Sequence, residues 1–148
     1  MKLILVFLLT FSGFSTLQAQ CDVNVREAFG GVSSIMVYNT YITIGAIGDA
    51  HEKEVYDAEY VKGLMSEQTN MLQSAIDLLA KCKEVKSNGL TSEDITYIKD
   101  LIACLESLKG EAQGLSDYVI SKSEDALLKY NTNRKKAWDQ IAALMGLE

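Results

Sequence analysis

The residues able to do chemistry are few and scattered. His51 is the only histidine in 148 residues, so a nucleophile paired with an imidazole base has a single possible base to use. His51-Glu52 with Glu54 offers the imidazole and carboxylate donors that a divalent ion takes, but no second histidine or cysteine follows at ligand spacing. An exposed histidine in the first turn of a helix accounts for it. Glu93 and Asp94 have the composition of a general acid and base, yet they follow Thr91-Ser92, where carboxylates favour a helix start. Gly45-Ala46-Ile47-Gly48 is too short for a phosphate-binding loop. The three cysteines, Cys21, Cys82 and Cys104, form no Cys-x-x-Cys pair. Catalysis, a metal and a cofactor are therefore not expected.

The elements that position these groups centre on the stretch from Asp49 to Lys109, which reads as two amphipathic helices joined by Ser87-Asn88-Gly89-Leu90-Thr91. Val61, Leu64, Met65, Met71, Leu72, Ala75, Leu78, Leu79, Cys82 and Val85 recur at spacings of three and four along the first arm. Asp49, Glu52 and Glu54 at its start and Lys81, Lys83 and Lys86 at its end match the helix dipole. Asn88-Gly89 supplies left-handed backbone to end that arm, and Thr91-Ser92-Glu93-Asp94 resembles a capping box for the next. Ile95, Ile98, Leu101, Ile102, Leu105 and Leu108 give the second arm its stripe. The fold class expected is all-α, an antiparallel bundle of three to four long helices on this central hairpin.

Composition narrows the setting. With no proline, 48% hydrophobic residues and a formal charge of −6, the chain suits one domain of long helices. Met1 to Ala19 carries Lys2, an apolar run from Leu3 to Phe14, and small or polar residues before Ala19, the pattern of a secretory signal peptide cleaved after Ala19. An uncleaved membrane anchor is the alternative, though the apolar run is short for roughly 30 Å of hydrocarbon. Residues 20–148 then form the bundle domain. Acidic charge argues against nucleic acid or an anionic membrane held electrostatically.

In an exported chain, three cysteines allow one internal disulfide. Counting residues from the turn places Cys104 and Cys82 about 10 Å out of level, whereas a preceding antiparallel helix would bring Cys21 opposite Cys104. A Cys21–Cys104 disulfide, a pair involving Cys82, and no pair all remain open, as does lipidation of Cys21. Cys82 on the apolar stripe reads as a buried free thiol.

From Ala28 to Gly48 there is no formal charge over 21 residues. A helix buried between the arms, membrane insertion of 28–48, and a strand from Ile35 to Ile44 are the readings open there. Beyond Leu108, Gly110 and Gly114 soften a helix without ending it, and Asn131-Thr132-Asn133 marks a break before a last helix capped by Thr132 or Asn133. That helix carries Arg134, Lys135, Lys136 and the only tryptophan, Trp138, a candidate partner-binding set against the plainer roles of a solvated face and a core anchor. Tyr38, Tyr41, Tyr56 and Tyr60 could line a small-ligand cavity.

The run Asn88-Gly89-Leu90-Thr91, followed by Asp94, Cys104, Ser107 and Lys109, resembles the helical hairpin of the exported TraI-type conjugal-transfer proteins of Bacteroidota conjugative transposons. Leu17-Gln18-Ala19-Gln20 also resembles the signal ends of exported proteins of that phylum. The resemblance implies a periplasmic or surface helical component of a type IV secretion apparatus in a Gram-negative envelope, acting by binding its neighbours, with no catalytic residues to carry over. Three functions follow in order: a non-enzymatic subunit binding envelope proteins or its own copies, a membrane-inserted protein using residues 28–48, and a small-ligand carrier.

Overall fold

The computed structural model describes residues 2–84 and 89–147, with side chains described from 25 to 82 and from 89 to 147. Helices α1 (Lys2–Glu52), α2 (Ala58–Glu84), α3 (Ser92–Ser121) and α4 (Glu124–Met145) follow in order, and the described residues contain no strand. Two compact units divide the chain, residues 1–33 and 34–148. In the first, Ser33 Oγ donates to the Phe29 carbonyl at 2.7 Å, a bond back along its own helix. The second is an antiparallel helical bundle in which α3 packs against both α2 and α4. The signal segment and Cys21 lie outside the described side chains.

Helix boundaries follow local chemistry, and two of them differ from expectation. Asp49 and Glu52 belong to the end of α1, so the first arm of the hairpin starts at Ala58 rather than among those acids. Glu54 turns the chain with a φ of 60°, and Asp57 Oδ1 then accepts from the Tyr60 amide at 2.8 Å to cap α2. Gly89, at a φ of 69°, uses the left-handed backbone foreseen for the hairpin turn. Thr91 then caps α3 in a reciprocal box with Asp94: its hydroxyl accepts from the Asp94 amide while the Asp94 carboxylate accepts from the Thr91 amide at 2.7 Å.

The second difference lies further on. Helix α3 passes through Gly110 and Gly114 and stops at Lys122, which is left-handed at a φ of 52°. Ser123 caps α4, its side chain accepting from the Ala126 amide, and α4 runs unbroken through Asn131-Thr132-Asn133. Ser123-Glu124-Asp125 repeats the serine-acid-acid pattern of Ser92-Glu93-Asp94, whereas Asn131 to Asn133 sit in mid-helix where tertiary packing overrides their capping preference.

The core runs through Val61, Met65 and Leu72 of α2, Leu101, Leu105, Leu108 and Leu115 of α3, and Ala137 and Ile141 of α4. From the segment 34–52 it takes Val37 and Ile44. Residues 35 to 44 are therefore helical rather than extended, because burial at spacings of three and four outweighs their β-branched content. Across the hairpin, Lys109 Nζ donates to Gln73 Oε1 at 2.7 Å and pairs with Glu106 at 2.6 Å.

Candidate functional site

A single acid, Glu111, is completely buried in α3, and α4 supplies its partner. Arg134 Nη1 donates to Glu111 Oε1 at 2.6 Å, while Glu111 Oε2 has no partner among the described residues. The same guanidinium stacks on the Tyr41 ring with Cζ 4.3 Å from its centroid, and Nη1 reaches the Tyr41 carbonyl at 3.5 Å. Three helices of the bundle thus meet on one arginine. The approach is possible because the helices carry glycines there. A Cβ on Gly45 would enter the Arg134 guanidinium, and one on Gly114 would stand 2.8 Å from the Tyr130 Cα.

Burial sets the electrostatics of this junction. Desolvation pushes the Glu111 carboxyl up to about 7, against the pull of the Arg134 hydrogen bond and charge. Burial likewise raises the Tyr130 phenol to about 12, with Arg134 opposing. The pair joins α3 to α4.

Trp138 lies beside the junction, its ring 5.6 Å from Tyr41 and 6.5 Å from Tyr38. It keeps 39% of its surface exposed, so it is a seam residue of α1 and α4 rather than a core anchor. On α1, Ile35, Met36 and Ile42 are exposed beside this seam, while Val37 and Ile44 point into the core. The candidate functional surface is therefore apolar and aromatic, with Lys135 and Asp139 paired at 2.6 Å on its exposed edge.

The basic cluster is split by the fold. Arg134 turns inward to Glu111, Lys135 pairs with Asp139, and Lys136 is exposed. Arg134 is consequently no part of an exposed cationic patch. That inward turn was not legible in the sequence; the signal available was Glu111 interrupting an otherwise apolar and small-residue face of α3.

The chain matches no known family model, curated protein or solved structure.

The remaining candidates resolve individually. Cys82 is exposed, not buried: it lies six residues past Ile76, about 240° round the helix from that core residue. The buried thiol is Cys104, which desolvation pushes up to about 12. No disulfide joins described residues, and the Cys21 half of the expected pair lies outside them. His51 sits in the last turn of α1, not the first turn of a helix. Its Nε2 contacts Lys122 Nζ, which can only donate, so Nδ1 carries the proton and donates to the Tyr56 carbonyl at 2.9 Å. The imidazole thereby ties the α1–α2 turn to the end of α3. Asp94 is engaged in capping. Tyr56 and Tyr60 meet edge to face with ring centroids 5.0 Å apart, while Tyr38 and Tyr41 turn to Trp138, so the four tyrosines line no common cavity. Among the described residues no three histidine, cysteine or acidic side chains gather as a metal site, and no helix is long and apolar enough to cross a membrane.

Proposed function

We propose that this chain is an exported, non-enzymatic helical subunit that works by binding other proteins of the cell envelope through the outer surface of α1 and its seam with α4. The observation that carries this reading is the exposure of Ile35, Met36 and Ile42 beside the half-exposed Tyr38–Tyr41–Trp138 cluster. Aromatic and arginine residues with adjoining apolar surface are the composition of interface hot spots. The polar groups that might have served chemistry are engaged in holding helices: Glu111 with Arg134, His51 with Tyr56 and Lys122, Asp94 with Thr91. The resemblance of residues 88–109 assigns the neighbours to a conjugative type IV secretion apparatus, with the signal-like segment directing export.

Affinity purification of the tagged chain from its native envelope under mild crosslinking, followed by mass spectrometry, tests this. Recovery of secretion-channel or pilus proteins is the expected result, with capture lost in Ile42→Asp. Recovery of abundant envelope proteins alone would overturn the conjugation assignment.

A further inference from the structure

Helix α2 carries a second apolar line besides its core face, and all of it lies in the unit of residues 34–148. Leu64, Gln68, Met71, Ala75, Leu78 and Cys82 are spaced four, three, four, three and four apart, the a and d spacing of a helix pair. This line runs about 90° round the helix from the core residues Met65, Leu72 and Ile76. Met71 and Leu78 on it keep 67% and 63% of their surface exposed, Cys82 is exposed, and Leu64, Gln68 and Ala75 are half-buried. A helix that covered only its own bundle would need the core face alone. On the side away from the core the line is flanked by Glu67, Ser74 and Lys81, one at every seventh residue and all exposed. Glu67 and Lys81 make no ion pair among the described residues.

We infer that α2 pairs with α2 of a second copy of this chain, the two helices running antiparallel about a two-fold axis beside Ser74. The contact lies on a different helix from the α1–α4 seam and does not rest on the function proposed above. Charge selects both the occupant and its direction. Glu67 lies seven residues before Ser74 and Lys81 seven after it, so in that arrangement Glu67 of each chain stands level with Lys81 of the other. The patch is its own complement. The two residues are about 21 Å apart along one helix, too far to pair within a chain. A parallel pair in register would instead set Glu67 level with Glu67 and Lys81 level with Lys81, with no attraction across the seam. The same antiparallel register interleaves the apolar line, because Met71 meets Ala75 of the second copy and Leu64 meets its Cys82, large against small, while the methylenes of Gln68 cover its Leu78. The seam is narrow. At under about 600 Å² a side it has the size of a weak, reversible complex, with dissociation expected at tens to hundreds of micromolar.

Sedimentation equilibrium of the full chain, from micromolar to millimolar concentration, should show a reversible monomer–dimer equilibrium. The Met71→Asp/Leu78→Asp variant should stay monomeric throughout with unchanged helical circular dichroism, since both side chains are exposed. A parent chain that is monomeric at the highest concentration overturns the inference, and so does a dimer that this variant leaves intact. For the register, Glu67→Lys and Lys81→Glu should each weaken dimerisation roughly tenfold, and the double reversal should bring it back to within about twofold of the parent. A double reversal as weak as the single ones would mean that the two residues do not face each other across the seam, and would overturn the antiparallel assignment.

Discussion

Glu111 stands fully enclosed with one oxygen on Arg134 and the other without a partner among the described residues, and its protonation should be visible in the stability of the whole chain. Its carboxyl is raised from the ordinary 4.5 to about 7, so between those values the folded chain keeps a proton that the unfolded chain has released. Stability should therefore fall as pH rises through that window and level off above it. Relative to Glu111→Gln, the urea unfolding free energy of the parent chain should decline by something on the order of 1–3 kcal/mol between pH 4.5 and 8. A constant difference across that range would mean that the carboxyl titrates normally. The two described cysteines should also separate. Cys104 is enclosed with its thiol held protonated, and Cys82 is exposed. A thiol-specific reagent at neutral pH should modify Cys82 within minutes and Cys104 only on unfolding, as mass mapping of the modified peptides would record.

At the level of elements, the capping geometry places the ends of α3 and α4 at particular side chains. Thr91→Ala and Ser123→Ala should each cost about 1 kcal/mol in chemical denaturation, because each leaves an amide of the first turn without its acceptor. Thr132→Ala should cost less than about 0.5 kcal/mol, since Thr132 is an exposed mid-helix residue. A large loss at Thr132 would restore the break that the asparagine pair suggests in the sequence. Glycines make the complementary test. Gly114→Ala would press against the Tyr130 backbone and should destabilise by about 1–3 kcal/mol, while Gly63→Ala meets nothing within 4 Å and should stabilise by about 0.5–1 kcal/mol, both read from thermal unfolding.

For the molecule as a whole, α3 contributes buried side chains from Ile98 to Val119 and packs against both α2 and α4. Its amides should exchange most slowly with deuterium, more slowly than those of α2 or α4; equal protection in α2 would mean that the hairpin, and not α3, is the last structure to open. Much of this fold was legible in the sequence. The stripes at Val61, Met65 and Leu72 and at Ile98, Leu101, Leu105 and Leu108 are core faces, and Gly89 and Thr91 mark the turn, because helical periodicity and turn chemistry act within a few residues of one another. The candidate site was less legible. Trp138 and the basic run stood out by composition, but whether a cation faces water or an acid depends on which helix lies against it. Periodicity along the chain thus determined the core stripes of the two hairpin arms, the turn between them and the apolar character of residues 28–48. Tertiary packing decided that Arg134 turns inward to Glu111, that Cys82 is exposed while Cys104 is buried, and which face of α1 is left open. A helix records its own pattern in sequence, whereas the desolvation of a side chain is set by neighbours many residues away.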